Sequence, residues 1–320
     1  MRAALAEPKP LAKSNSPLTL NFLSFENRTH NPAVAPTLFG AFIVAHLVVL
    51  FAFIRFAFPW TWQQQVSSGF TAILLTMLAC NLVFCFGEFF FHRYLLHIDS
   101  IKWLGKLCYA HRAHHKLTSI RFDDRVNAVR SEYPIQDVDH DDSATFPPYA
   151  LLLFFAFWTP FFAVIAFSFP RFPILIGGYA ALAIAHFLYE TLHVLHHTPH
   201  EWWARKVQLP IVGTLLHKMY GFHQAHHANY HCNMNIAGFY GFPVADLVLR
   251  TYKQPETLLI EGAPGTKAAA RALTPAPRWP GSAMDRAVIK RRARMKKEDD
   301  LRGARQDGPA KQPVESTASS

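Results

Sequence analysis

Residues 69–97, GFTAILLTMLACNLVFCFGEFFFHRYLLH, decide the fold of this protein. The first part, residues 69–91, contains Glu88 as its one charged residue. A helix rises 1.5 Å per residue, so this run reaches about 33 Å, close to the thickness of the hydrocarbon core of a bilayer. His92 follows immediately and His97 five residues later. The stretch therefore predicts a membrane-spanning helix that ends in imidazoles.

Three more apolar runs complete the pattern, at residues 37–58, 147–169 and 172–188. The chain is 51% apolar and 17% charged, against a usual charged share of about 25%. This composition points away from an ordinary soluble domain and excludes disorder throughout. We predict an all-α integral membrane protein with about four transmembrane helices in two hairpins. The last run reaches only about 25 Å and is predicted to be a short span.

The two hairpins are predicted to close through tight turns at residues 59–68 and 170–171, which are flanked or occupied by prolines. Residues 59–68 contain no Lys or Arg, whereas residues 92–146 contain eight and the chain after Tyr189 contains eighteen. Lysine and arginine favour the cytoplasmic side of a membrane. Both termini and a histidine-rich helical cap are therefore predicted to be cytoplasmic.

Composition divides the chain into three parts. Residues 1–36 form a polar N-terminal tail, and residues 37–252 contain all four apolar runs. Residues 253–320 are rich in Pro, Gly, Ala and charge, and include the basic stretch RAVIKRRARMKK at residues 286–297. We predict that this last part is a disordered tail that does not join the folded core. The net charge is +10, but no nucleic-acid-binding motif accompanies it, so no nucleic-acid partner is predicted.

The pattern His-x-x-His-His occurs three times among the eighteen histidines of this chain. A random arrangement of the same composition would contain it roughly 0.06 times, so the repeats are not accidental. The three boxes are His111/His114/His115, His193/His196/His197 and His223/His226/His227. Positions i, i+3 and i+4 lie on one face of a helix, so each box is predicted to be a ready ligand set for a metal ion.

His92 and His97 form a fourth, looser pair. They lie about 140° apart on an α-helix, so we expect them to serve two neighbouring metals or to flank a helix end. One hairpin of two spans separates the histidine windows, so all four boxes return to the same side of the membrane. The imidazoles are too many for one ion, and two metals are predicted. The predicted ligands are His92, His97, His111, His114, His115, His193, His197, His223, His226 and His227, with His196 as a further candidate beside His197.

Two carboxylates are candidate catalytic residues. Glu88 lies four residues before His92, and Glu190 lies three residues before His193. A carboxylate at membrane depth is costly, which indicates a function. We expect each to orient a ligand imidazole by accepting its second N–H. Imidazole suits Zn, Cu, Fe and Ni, so the ligand type alone does not choose the element.

With these motifs, residues 70–251 resemble the fatty acid hydroxylase superfamily, an integral-membrane group that includes sterol desaturases, sterol C4-methyl oxidases and fatty acid 2-hydroxylases. The resemblance implies a centre of two iron ions that activates O2 on a fatty acyl or sterol-like lipid. Zinc is a possible substitute, because affinity at nitrogen sites does not by itself favour iron. The resemblance also implies a separate electron-transfer protein, a ferredoxin or a cytochrome b5-like protein. The third box departs from the hydroxylase spacing, which leaves open whether His196 or His197 is the ligand.

The resemblance implies one of two lipid reactions, and the histidine pattern by itself allows a third function. The first is lipid hydroxylation, in which oxygen is inserted into a C–H bond. The second is desaturation by a membrane acyl or sterol desaturase, although such enzymes usually place more than the thirteen residues found here between His97 and His111. The third is a histidine-rich metal-binding membrane protein without O2 chemistry. The boxes follow the predicted spans instead of lying within them, which disfavours a metal transporter.

Overall fold

The computed structural model describes residues 34–98, 101, 104–135, 145–146 and 149–306. Most of the predicted N-terminal tail, residues 1–33, lies outside the described residues, and so does the end of the predicted C-terminal tail, residues 307–320. The described chain is mostly helical. Its α-helices are α1 (Val34–Ala57), α2 (Pro59–Ser67), α3 (Phe70–Phe91), α4 (Gly105–Leu117), α5 (Ala150–Ser168), α6 (Ile174–His196), α7 (His200–Lys206), α8 (Gly213–Ala228), α9 (Val244–Leu249), α10 (Lys267–Ala272) and α11 (Gly281–Gln306).

Four helices, α1, α3, α5 and α6, are long and apolar enough to cross a membrane. They confirm the prediction of an all-α membrane protein with four spans. Half of the most apolar stretch of α6 is buried inside the protein, against 17% of that of α1. Helix α6 is therefore the centre of the bundle, and α1 lies at its edge.

Two glycines let α6 approach its neighbours closely. A Cβ at Gly177 would lie 2.9 Å from Thr76 Cβ of α3, and a Cβ at Gly178 would lie 2.9 Å from the ring of Phe162 of α5. Without a large hydrophobic driving force between helices in lipid, small residues at such contacts let van der Waals packing hold the helices together. The pair of glycines therefore fixes how α3 and α5 flank α6.

The fourth span is longer than predicted. We expected a short span at residues 172–188, but α6 runs for 23 residues to His196. The apolar run ends at Leu188, while the helix continues through Glu190 and His193. Hydropathy marks where the apolar side chains end and does not mark where the backbone hydrogen bonds end.

The link at residues 59–68 is also not a tight turn. It forms the nine-residue helix α2, which begins with Pro59 at a position that needs no backbone N–H. The buried side chain of Gln65 donates to the carbonyls of Pro170 (2.9 Å) and Phe172 (2.8 Å) and accepts from Leu175 N (2.9 Å). One amide thus joins the two outer connections at the end of the bundle opposite the histidines.

The predicted boundary at residue 252 is wrong, because the chain beyond it packs on the fold. Leu259 and Leu273 are buried with Val129 and Trp203 in a core cluster next to the histidines. Val129 belongs to a two-stranded antiparallel sheet, β1 (Ile120–Asp123) with β2 (Ala128–Ser131), which the sequence did not predict. The apolar anchors of this region are too few and too irregularly spaced to be recognised by composition.

The beginning of α11 is fixed by an ion pair between a buried arginine and a half-buried aspartate. Arg93, 5% exposed, donates from Nε (2.9 Å) and from Nη2 (2.8 Å) to the two carboxylate oxygens of Asp285. Tyr94 donates its hydroxyl to the same carboxylate at 2.7 Å. Arg93 and Tyr94 lie between His92 and His97, so this contact holds the C-terminal helix against the segment that carries the first two histidines.

Replacing Asp285 with alanine is expected to destabilise the protein by about 3 kcal/mol, because removal of one partner leaves the other buried and unpaired. The measurement is the free energy of unfolding in detergent or bicelles. Asp124→Ala is the matched control, since Asp124 pairs with Lys267 at the surface and such exposed pairs contribute less than about 1 kcal/mol. Equal losses in the two variants would show that the Arg93 contact is not structural.

Candidate metal centre

Ten of the eleven predicted histidine ligands come together in two clusters of five. Within each cluster, one nitrogen from every imidazole lies within 4.8 Å of all the others. Cluster A contains His92, His97, His111, His115 and His226, and cluster B contains His114, His193, His197, His223 and His227. The clusters adjoin each other, since the stacked rings of His115 and His227 are 4.2 Å apart. The structure thus provides two neighbouring groups of imidazoles that could each hold a metal ion.

We had predicted that each box forms one ligand set, but two of the boxes supply both clusters. In the first box, His111 and His115 enter cluster A, whereas His114 enters cluster B. In the last box, His223 and His227 enter cluster B and His226 enters cluster A. On an α-helix, position i+3 lies about 60° to one side of position i, and position i+4 lies about 40° to the other. A helix that lies between two clusters therefore supplies ligands to both, and α4 and α8 lie between clusters A and B.

His92 and His97 meet in one cluster because the helix between them is wider than an α-helix. Residues 92–96 form a π-helical turn at the end of α3, closed by a hydrogen bond from His97 N–H to the carbonyl of His92 (3.2 Å). Such i→i+5 bonding brings residues five apart onto the same side. The two rings stack 5.0 Å apart. The alternative that they serve separate metals assumed α-helical geometry and is wrong, whereas the alternative that the helix ends between them agrees with the structure, since α3 ends at Phe91 and the π-helical turn ends at Leu96.

The spacing between facing nitrogens fits ligands of one ion. In cluster A, Nε2 of His111 lies 3.0 Å from Nε2 of His92, 3.2 Å from that of His97 and 3.1 Å from that of His115. In cluster B, Nε2 of His197 lies 3.1 Å from those of His114 and His223. With metal–nitrogen bonds of about 2.1 Å, ligands at right angles are about 3.0 Å apart and tetrahedral ligands about 3.4 Å apart. The geometry fits five- or six-coordinate ions better than a closed tetrahedral site.

Backbone carbonyls fix the orientation and tautomer of several rings. The Nδ1 of His92 donates to the carbonyl of Met234 at 2.6 Å, that of His197 to Tyr133 at 2.8 Å and that of His226 to Cys232 at 2.7 Å. His227 Nδ1 lies 3.1 Å from the carbonyl of Thr118. A proton on Nδ1 leaves a lone pair on Nε2, so these rings present their Nε2 lone pairs to the clusters.

Burial keeps the imidazoles neutral. Desolvation lowers the pKa of His226 to about 3. Desolvation first, then the neighbouring histidines, also lower the pKa of six further cluster members outside the spans: His97, His111, His115, His197, His223 and His227. A neutral imidazole is the form that binds a metal ion. Where two neutral imidazoles turn their Nε2 lone pairs toward each other, a bound cation would replace their repulsion with attraction.

His196 lies outside both clusters. Its ring stacks on His223 (5.1 Å) and on Trp203 (6.3 Å), and neither of its nitrogens has a hydrogen-bond partner within the described part of the chain. His197 occupies cluster B together with His193, at the i and i+4 positions that the other boxes also use for one cluster. Of the two candidates that the sequence left open, the geometry thus favours His197.

We had predicted that Glu88 orients His92, but the structure shows other partners for both residues. Its carboxylate accepts from the backbone N–H groups of Ile236, Ala237 (2.9 Å) and Gly238 (2.8 Å). His92 donates instead to the carbonyl of Met234. Glu88 therefore binds residues 236–238, which follow Met234, the residue whose carbonyl orients His92. The sequence contains no signal for this contact, because the partners of Glu88 are backbone groups.

Glu190 is buried near cluster B, at the end of α6 that carries the histidines. Its two carboxylate oxygens lie 3.3 and 3.2 Å from the backbone nitrogen of Phe146, which donates to them. Phe146 is adjacent to the third predicted span, so this contact ties the chain before α5 to α6. That Glu190 also orients the imidazole of His193 stays a prediction.

Comparison with protein-family models, with curated proteins and with solved structures finds no match to this chain. The class is therefore defined by the fold and the site alone. The protein is a multi-pass helical membrane protein with two adjoining five-histidine clusters that can bind metal ions.

Proposed function

We propose that this protein is a membrane-bound oxygenase of the fatty acid hydroxylase superfamily, which hydroxylates a C–H bond of a fatty acyl or sterol-like lipid. The observation that carries the proposal is the pair of adjoining five-imidazole clusters at the ends of α3 and α6. Five ligands leave one position of a six-coordinate ion for O2. Two iron ions bound there would supply the activation of O2.

The residues of this chain would hold the ions, limit the access of water and admit the lipid. The neutral histidines of the two clusters would hold the ions, and the backbone carbonyls of Met234, Tyr133 and Cys232 keep three of the rings aligned. Nine of the ten histidines are buried, which excludes bulk water from the reaction. His92 and His193 lie at the ends of spans, so a lipid can reach the site from the bilayer.

The proposed reaction consumes one O2, two electrons and two protons. One oxygen atom enters the C–H bond and gives an alcohol, and the other leaves as water. The electrons come from a separate ferredoxin or cytochrome b5-like protein. The same site would desaturate the lipid if a second hydrogen were removed instead of oxygen being inserted, so desaturation is the second candidate. We also propose that the histidine end of the bundle is cytoplasmic, on the basis of its lysines and arginines.

The test is metal and product analysis on one preparation. We expect two metal ions per purified chain, mainly iron when iron is supplied under reducing conditions. Lipids from expressing cells grown under ¹⁸O2 are expected to contain a new ¹⁸O-labelled alcohol. His114→Ala and His226→Ala, one from each cluster, should abolish it, whereas His217→Ala on the same helix as His226 should not.

The other outcomes separate the alternatives. A new double bond without ¹⁸O would identify a desaturase. Two bound metals with unchanged lipids, in cells that also express a suitable electron donor, would instead support a metal-binding membrane protein without O2 chemistry. One metal ion or fewer in a folded sample would contradict the two-metal site.

A further inference from the structure

An irregular segment after α8 packs deep against a membrane-spanning helix. This segment, residues 235–249, consists of a loop and the short helix α9. Its Ala245 and Leu249 are buried against Cys85 and Phe89 of α3. The side-chain amide of Asn235 also donates to the carbonyl of Cys85 at 2.8 Å. Hydropathy gives no fifth apolar run here, so the sequence predicts no span in this segment.

The position of Cys85 along the bundle shows how deep this contact lies. The neighbouring Phe84 packs on Trp158 of α5, with ring centroids 4.9 Å apart. Helix α5 has 19 residues, just enough to cross a bilayer, and Trp158 lies eight residues beyond its first residue, Ala150. Cys85 is therefore about 12 Å inside the end of α5 that faces the histidines. The segment that touches it lies at the same level.

Backbone N–H groups of the segment find acceptors inside the protein, whereas the buried hydroxyl of Tyr240 has no partner among the described residues. Glu88 accepts the N–H groups of residues 236–238, and the Asn235 side-chain oxygen accepts those of Ala245 (3.1 Å) and Asp246 (3.3 Å). The carboxylate of Asp246 accepts from Met234 N (2.9 Å), Asn235 N (2.8 Å) and the Thr251 hydroxyl (2.6 Å). Irregular backbone is tolerated at membrane depth only when such partners are supplied by the protein.

The outward face of the segment is apolar. Asp246 is its only charged residue and is fully buried. The most exposed large side chains are Phe242 (58%), Leu247 (55%) and Val248 (52%). Arg250, the first exposed charge, follows directly after α9, where the chain adopts a left-handed conformation (φ 58°) and turns. An apolar face that ends at a charge resembles the faces of the spans themselves.

We propose that residues 235–249 form a re-entrant element that enters the acyl-chain region of the bilayer from the histidine side, beside α3, and contacts lipid through Phe242, Leu247 and Val248. The half-buried Glu88 and the buried Asp246 make this insertion possible, because they bind backbone N–H groups that lipid cannot satisfy. The proposal depends on the membrane-spanning helices and not on the proposed enzymatic function.

Spin labelling of the reconstituted protein tests the proposal. Phe242→Cys, Leu247→Cys and Val248→Cys are labelled in a Cys80→Ser background, because the other three native cysteines are buried. Phe157→Cys in α5 is the lipid-facing control, and Val126→Cys, 57% exposed between β1 and β2, is the water-facing control matched to Phe242. We expect collisions with O2 to exceed collisions with a water-soluble nickel complex at the three sites, as at Phe157. A ratio like that of Val126 would overturn the proposal.

A second measurement uses the wild-type protein, so that misfolding of a variant cannot decide the result. A phospholipid with a photoreactive diazirine near the end of its acyl chain is activated in proteoliposomes, and modified peptides are mapped by mass spectrometry. We expect modification within residues 239–248 at a level comparable to that within residues 152–157 of α5. Modification confined to the four spans would overturn the re-entrant assignment.

Discussion

Replacing His197 with alanine is expected to empty cluster B, whereas replacing its neighbour His196 is expected to leave two metal ions per chain. His197 presents its Nε2 to the centre of the cluster, 3.1 Å from those of His114 and His223. Loss of an outer-shell partner typically lowers metal affinity roughly 10- to 100-fold, and loss of a direct ligand should exceed this. His196 presents no nitrogen to either cluster.

The measurement is metal content per chain after equilibration with a competing chelator, beside the wild-type protein. The two variants remove the same side chain from adjacent buried positions, so general destabilisation affects both. Metal loss in His196→Ala with retention in His197→Ala would reverse the assignment of the ligand. Equal loss in both would show that the packing of α6, and not ligation, is being measured.

Glu88→Ala is expected to cost about 3 kcal/mol or more in the free energy of unfolding. Three backbone N–H groups, those of residues 236–238, would lose their acceptor, and a buried donor without a partner costs roughly 1–3 kcal/mol. In the acyl-chain region that we propose for this segment, water would not replace the carboxylate. Glu88→Gln keeps one carbonyl oxygen with two lone pairs and should lose less.

The matched control is Glu261→Ala. Glu261 also accepts a backbone N–H, that of Ser131 at 2.6 Å, but its side chain is 55% exposed, so water can take its place. Unfolding of the three variants in bicelles gives the comparison. If Glu88→Ala kept wild-type stability and lost only metal, the carboxylate would be orienting a ligand after all, as its spacing from His92 had indicated.

The sequence alone determined the four spans and the identity of the histidines that meet. Apolar runs long enough to cross a bilayer have few alternatives to a helix, because every backbone polar group must be satisfied within the segment. The hairpin between the two histidine windows then returns all the boxes to one side. The ten predicted ligands other than the ambiguous His196 all lie in the two clusters.

Only the tertiary structure decided how these histidines are shared. The i+3 and i+4 positions contribute to different clusters because α4 and α8 each lie between the two clusters. The π-helical turn brings His92 and His97 into one cluster. Neither arrangement follows from residue spacing. The partners of Glu88 and of the Nδ1 atoms are backbone groups, which any sequence carries at every position. Which backbone groups serve as partners depends on which chain segment lies nearby in space. Tertiary packing likewise decided that residues 235–249 lie against α3 and that residues 253–285 lie on the core.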